Sequence, residues 1–353
     1  MSDRLKNGIA IALIPQILLV QLLAWNPEFV ELYYSKGLYP LLSRLYRFLL
    51  GWIPFSIGDI LYFILGVWLL YFLFRNWRSL WSRRRLRDFI MVLSVAYFTF
   101  HLMWGLNYYR LPIAEAFELE DSFELDELIG VSGELVEASN RLQTELTGDT
   151  ITKVRVPHTK KAIFKTAKAG YDVLSKNYPI VTYKQPSIKP SLLSTLLSYM
   201  GYGGYLNPFT QESQVNAKLP SFRLPVVSAH EMAHQIGYSA ENEANLLGYL
   251  AASSSPDPFA RYSAKTFGLH HCLAQLQQRD SIAFDSLVAR MHPGVKNNFV
   301  EAREFWESYQ NPFEPLFQSA FDTFLKANRQ EEGMASYNRV VALMIAYHRE
   351  HPM

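Results

Sequence analysis

Three long apolar segments occupy much of the first 110 residues, at positions 8–25, 57–74 and 89–106. A helix needs about 20 apolar residues to cross the hydrocarbon core of a bilayer, and each segment approaches that length. Tryptophan and tyrosine lie near several of their ends, as interfacial anchors do. We therefore predict a multi-pass protein of the cell membrane, with the lipid bilayer as a partner. No small-x-small cleavage site follows Trp25, which favours a retained anchor over a cleaved signal peptide.

The positions of the arginines predict how these segments are oriented. Residues 75–88, between the second and third segments, carry six arginines, and positively charged loops stay in the cytoplasm. Three crossings then place residues 108–353 outside the cytoplasm. Residues 38–54 are typical of an amphipathic helix that lies on the membrane surface. Asp59, at the edge of the second segment, is expected to reach the headgroups.

Beyond residue 107 the apolar positions take the spacing of water-soluble helices. Apolar residues recur every three or four positions in 125–146 and 158–178, and similar patterns resume after Pro225. Residues 202–220 are rich in glycine, proline and asparagine, which end a helix. Within them, residues 212–217 predict a short strand.

The fold class that follows is mainly α, in two parts. Residues 1–107 form a membrane domain with three transmembrane helices. Residues 108–353 form an extracytoplasmic, α-rich domain with a small β element, and not a βαβ array.

Charge and cysteine content exclude some function classes. The net charge is only +2, and no basic face dominates the C-terminal part, which argues against a nucleic-acid partner. Cys272 is the single cysteine and cannot form an internal disulfide. Adjacent His270 and His271 point about 100° apart on a helix, so we interpret both as structural. No feature of the sequence indicates an oligomeric state.

Two histidines and a glutamate form a candidate metal motif at residues 230–234. His230 and His234 are four residues apart, so on a helix both imidazoles project from one face and can ligate one ion. Glu231 lies one residue further round, where its carboxylate reaches metal-activated water more easily than the metal. Its spacing is that of a general base.

A catalytic zinc site needs a third protein ligand and one open position. Glu241 and Glu243 both remain candidates for that ligand. Glu241 is favoured because Asn245, four residues on and facing the same way, can hold a ligand imidazole. Gly237 is expected to take the left-handed cap of the first helix, and Ser239 to cap the start of the second.

These residues carry a resemblance to known families. His230-Glu231-x-x-His234 followed by Glu241-x-x-Ala244-Asn245 resembles the zincin metallopeptidases, and the second string is similar to the ligand helix of the gluzincin branch. Together with residues 204–220, the two strings resemble an uncharacterised bacterial membrane family, known as a domain of unknown function. The resemblance implies a zincin-like metallopeptidase domain that binds Zn²⁺. In zincins an edge strand precedes the active-site helix, and residues 208–217 occupy that position, with an ordinary surface loop as the equal alternative.

A peptidase site also needs a donor for the oxyanion of the tetrahedral intermediate. The candidates are Tyr337, which is favoured, and Arg339, Tyr202 and Tyr205.

The leading hypothesis is a membrane-anchored zinc metallopeptidase that hydrolyses a peptide or protein substrate. Glu231 takes a proton from metal-activated water and passes it to the leaving amine. The alternative is a catalytically silent membrane scaffold or interaction protein, with a structural metal or none. Intramembrane proteolysis is disfavoured because residues 211–245 are too polar to span a bilayer.

Overall fold

The computed structural model describes residues 1–120, 122–330 and 339–352 of a mainly helical protein with one three-stranded sheet. Short 3₁₀ or π-helical turns join several helices, the longest being the π-helical segment Val30–Leu38. The helices are α1 (Asp3–Ile11), α2 (Leu13–Ala24), α3 (Pro27–Phe29), α4 (Tyr39–Leu50), α5 (Ile57–Asn76), α6 (Arg83–Met103), α7 (Ile113–Ala116), α8 (Leu125–Thr147), α9 (Lys160–Asn177), α10 (Ser194–Met200), α11 (Leu224–Ile236), α12 (Glu241–Ser253), α13 (Pro258–Arg279), α14 (Ser281–Arg290), α15 (Pro293–Glu307), α16 (Glu314–Ala327) and α17 (Arg339–Glu350).

Three helical stretches among the described residues are long and apolar enough to cross a membrane. They are Asp3–Ala24, Ile57–Ser79 and Arg83–Met103, of 22, 23 and 21 residues, and they confirm the three predicted segments. The third starts earlier than predicted because the arginine-rich residues before 89 are already helical. It ends earlier because the backbone turns at Trp104, which leaves the helical region.

Helix α4 exposes an apolar face and buries a polar one. Leu41, Leu45 and Phe48 are exposed, whereas Tyr39 and Arg47 are buried against the rest of the protein. This inside-out amphipathicity is what a helix at a membrane surface requires, since its apolar face must enter the lipid.

The sheet has the strand order β1-β3-β2, with β1 at Ile188–Pro190, β2 at Gly204–Asn207 and β3 at Glu212–Val215. β1 pairs with β3 in parallel, with Ile188 opposite Ser213. β2 pairs with β3 antiparallel, with Gly204 opposite Val215. The predicted strand at 212–217 is therefore present as β3.

The edge-strand prediction for residues 208–217 is wrong. Residues 212–215 form the central strand, and residues 204–207 form an edge strand beside α11. Strands of three or four residues are too short to show an alternating pattern, so neither flanking strand could be recognised.

The main core lies among α8, α9, α11, α12, α13 and α17. Two glycines let these helices approach closely. A Cβ on Gly170 of α9 would lie 1.9 Å from the Ala251 carbonyl oxygen, and one on Gly248 of α12 would lie 2.9 Å from the His230 nitrogen. The backbone of α12 therefore packs directly on α11, the helix that carries His230.

Two buried carboxylates join the start of α5 to the sheet region. Asp59 accepts hydrogen bonds from Ser191 Oγ at 3.0 Å, from the Leu192 amide at 2.7 Å and from the Tyr205 hydroxyl. Glu212 of β3 accepts a hydrogen bond from the amide of Gly58 at 2.6 Å. The prediction that Asp59 reaches the headgroups is wrong, because the side chain is buried under these three donors.

We predict that Asp59→Ala destabilises the protein by about 2 kcal/mol, because it leaves buried donors without an acceptor. The measurement is thermal or denaturant unfolding of the purified full chain in detergent. Asp88→Ala is the control, since Asp88 forms partly exposed ion pairs with Lys6 and Arg87 that contribute about 0–1 kcal/mol. Equal stability losses in the two variants would contradict the anchoring role of Asp59.

Candidate metal centre

Helix α11 has defined ends that set the positions of its histidines. Pro225 occupies its first turn, where a proline costs no hydrogen bond. Gly237 ends it with φ of +111°, the left-handed cap that was predicted. The predicted N-cap at Ser239 is wrong: α12 starts at Glu241, so Ala240 occupies the cap position without a side-chain bond. The acidic residues in the first turn of α12 instead lie at the positive end of the helix dipole, which favours their negative charge.

Three side chains converge between α11 and α12. The His230 and His234 rings lie 4.7 Å apart between centroids and are nearly perpendicular. Nε2 of His230 is 3.4 Å and Nε2 of His234 is 3.7 Å from the Glu241 carboxylate. One ligand atom from each residue lies within 4.8 Å of the other two, so the group could hold a metal ion.

Partners of the two imidazoles orient them toward this point. Nδ1 of His234 lies 2.8 Å from the Tyr238 carbonyl, so Nδ1 carries the proton and Nε2 keeps a free lone pair. Burial lowers the pKa of His234 to about 4, which keeps this imidazole neutral. Burial acts in the same direction on His230, but hydrogen bonds with Glu241 and Asn245 raise its pKa overall.

Glu243 is directed elsewhere. Its carboxylate accepts a hydrogen bond of 2.7 Å from the Ile113 amide and lies near Arg110. Burial raises its pKa to about 7. Residues two apart on a helix point about 200° apart, so only one of the two candidate carboxylates faces the histidines, and that one is Glu241.

The Glu231 carboxylate lies beside the cluster without belonging to it. It is buried, and its Oε2 has no hydrogen-bond partner among the described residues. Burial raises the pKa of Glu231 to about 8, and the charge of Glu241 acts in the same direction. Gly204 of β2 packs against this carboxylate, since a Cβ there would lie 2.5 Å from Oε1.

Residues from the membrane part cap the C-terminal end of α11. The Tyr39 hydroxyl donates to the Gln235 carbonyl at 3.0 Å, and the Trp104 indole donates to the His234 carbonyl at 3.2 Å. Arg110 donates to the Gly237 carbonyl at 3.0 Å and forms a buried ion pair with Glu31. We did not predict these contacts. Aromatic residues at the ends of apolar segments were the available signal, but they were interpreted as interfacial anchors.

A cavity of about 580 Å³ opens beside the candidate ligands. Its walls come from the sheet, from α11 and α13, and from the membrane helices α5 and α6. Arg223, which has no ion-pair partner among the described residues, also lines it, as do Tyr108, His270 and His271. Neither of these last two histidines joins the ligand cluster.

The candidate oxyanion donors lie in different places relative to the cavity. Tyr202 lines the cavity and donates to the Phe317 carbonyl at 3.4 Å. Tyr205 also lines it, but its hydroxyl is bound to Asp59. Arg339, at the start of α17, lines a second cavity near Glu243. Tyr337 lies outside the described residues.

Comparison with known proteins identifies one family. The family model described as a protein of unknown function (DUF3810) matches residues 34–345. No curated protein and no solved structure matches the chain significantly.

We predict that Glu241→Gln weakens zinc binding by more than the roughly 10- to 100-fold typical of a lost outer partner. Glu243→Gln is the matched control and should bind zinc like the wild type, because its side chain faces the Ile113 amide. Metal content and competition with a chelator measure both. If Glu243→Gln lost the metal and Glu241→Gln kept it, the ligand assignment would be reversed.

Proposed function

The chain belongs to the DUF3810 family of proteins of unknown function, and from the site described above we propose that it is a membrane-anchored, zinc-dependent metallopeptidase. The observation that carries this proposal is the convergence of His230, His234 and Glu241 beside a cavity. Glu231, the residue with the spacing of a general base, lies at the same cavity.

The donor set fits zinc. Two imidazole nitrogens and one carboxylate oxygen are a set that catalytic zinc sites use, with a fourth position left for water or substrate. The lone pair on Nε2 of His234 faces Glu241, because Nδ1 is bound to a carbonyl. When bound, the ion would supply Lewis-acid activation of water and polarisation of the substrate carbonyl.

Glu231 is proposed as the general base. A base must accept a proton from the attacking water and return it to the leaving amine. Its unpartnered Oε2 faces no competing donor among the described residues. Burial raises the pKa of Glu231 to about 8, which by itself favours the protonated acid over the carboxylate that a base requires. Metal at the histidines would lower that pKa, because a nearby cation favours the carboxylate.

The edge strand β2 is proposed to bind the substrate backbone. It pairs with β3 along one side only, and Gly204 places its start against Glu231. An extended polypeptide added to such an edge gains main-chain hydrogen bonds, while pockets select its side chains. Among the proposed oxyanion donors, Tyr202 lines the cavity, and Tyr337 stays a prediction.

The cavity and the unpartnered carboxylate favour an enzyme over a scaffold. A structural metal site is closed and needs no space for a further ligand, whereas this one borders about 580 Å³. An extracytoplasmic position for the domain remains our proposal from the distribution of arginines.

We predict that Glu231→Gln lowers peptide hydrolysis by roughly 10²- to 10⁴-fold while zinc content and thermal stability stay unchanged. The measurement is the cleavage of a mixed peptide library by the zinc-loaded full chain, followed by mass spectrometry. Cleavage that persists in Glu231→Gln would exclude this residue as the base. No zinc-dependent cleavage by the wild type would favour the scaffold alternative.

A second prediction concerns the strand beside the base. Gly204→Ala should displace the Glu231 carboxylate and lower turnover by up to about 100-fold, since a shift near 1 Å can cost that much. Zinc affinity should be retained, because no metal ligand is among the closest atoms. Gly130→Ala in α8 is the control, because nothing lies within 4 Å of its added Cβ. Equal activity of the two variants would contradict the packing argument.

A further inference from the structure

We propose that the substrate is a polypeptide anchored in the same bilayer, which reaches the metal laterally and is cut close to its membrane segment. This inference rests on the proposed peptidase function and adds the class of substrate. It depends on where the cavity lies relative to the ends of the membrane helices, and on which side chains line its walls.

The candidate metal site lies beside the ends of two candidate membrane helices, α5 and α6. The ring of Trp104, the residue directly after α6, contacts the ring of His234 at 6.1 Å between centroids. Tyr62 and Phe100 line the same cavity. At 1.5 Å rise per residue, Tyr62 is about 8 Å inside the start of α5 and Phe100 about 5 Å inside the end of α6. The cavity wall therefore extends to the depth of the interfacial region.

Helix α16 forms an aromatic wall opposite these membrane helices. Phe324 packs edge-on against Phe100 and Tyr108, each at 5.9 Å between centroids. Phe321 packs against Tyr202 at 5.4 Å. The walls that α6 and α16 contribute to the cavity are thus aromatic, which suits the apolar residues next to a membrane anchor.

Exposed apolar side chains surround this level of the molecule. They occur around α10 and α16. The segment before α10 lies next to the start of α5, because the Leu192 amide donates a hydrogen bond to Asp59. Together with the exposed face of α4 they form an apolar collar, and exposed patches of this kind mark contact with a membrane or a protein. The collar residues are Leu41, Leu45, Phe48, Leu192, Leu196, Tyr199, Phe313 and Leu316.

The collar favours lipid as its cover because it is continuous with the spans. Helix α4 follows the first membrane helix and α5 begins the second, so the collar residues on α4 and α10 lie beside chain segments that enter the bilayer. A polypeptide in the same bilayer would approach the cavity from the side of α5 and α6, whose Tyr62 and Phe100 line it.

The test compares two reporter peptides with the same randomised, quenched fluorescent sequence. One is joined to an apolar helix of about 20 residues, and the other ends before that helix. The zinc-loaded full chain is reconstituted in lipid vesicles, with the anchored reporter in the same vesicles or in separate ones. Glu231→Gln gives the background.

We expect the anchored reporter in shared vesicles to be cleaved at least about tenfold faster than the soluble reporter, because one bilayer concentrates both partners. In separate vesicles its cleavage should fall to background. Cleavage of the soluble reporter at an equal rate would overturn the lateral route and leave the peptidase proposal standing. Zinc-dependent cleavage of neither reporter would overturn both.

A crosslinking experiment tests the route without hydrolysis. In zinc-loaded Glu231→Gln, a cysteine introduced by Phe324→Cys should form a disulfide with a cysteine placed beside the anchor of the reporter. Ile151→Cys is the control, since Ile151 is exposed and does not line the cavity. The native Cys272 is buried. Equal crosslinking at the two positions would contradict lateral entry.

Discussion

The arrangement of the site depends on which groups donate hydrogen bonds to the carbonyl groups at the C-terminal end of α11. The last turn of any helix leaves carbonyl groups without intrahelical partners, and burying one unpaired costs about 1–3 kcal/mol. Here Tyr39, Trp104 and Arg110 supply the donors, and all three come from the membrane part or the segment directly after it. Because His234 lies in that same turn, these bonds fix the candidate metal site relative to the candidate membrane helices.

The buried carboxylates around the site differ in whether their oxygens have bonding partners, and this difference distinguishes structural roles from a proposed chemical one. Glu31 is paired with Arg110, Glu243 with the Ile113 amide, and Glu241 with the two imidazoles. Glu231 alone of these four has an oxygen that is buried without a partner among the described residues. A buried polar atom left unsatisfied costs stability, and such costs are typical of positions kept for function.

The same residues support both the chemistry and its place at the membrane. Gly204 brings the edge strand β2 against Glu231, and Asp59 ties the region after β1, the opposite edge strand of the sheet, to the start of α5. The proposed peptidase site and the proposed lateral entry thus rely on one rigid connection between sheet and spans. Movement of the domain away from α5 would disturb both.

The sequence by itself determined the features that depend on local spacing. These are the three apolar segments, the helical pair His230 and His234 with Glu231, and the glycine that ends their helix. Each depends on residues a few positions apart, so periodicity reveals it. The sequence favoured Glu241 but left Glu243 open, and only the tertiary structure directed Glu243 to the Ile113 amide, made 204–207 an edge strand and buried Asp59. The reason is physical: these outcomes depend on contacts between residues far apart in the chain, which leave no periodic trace in the sequence.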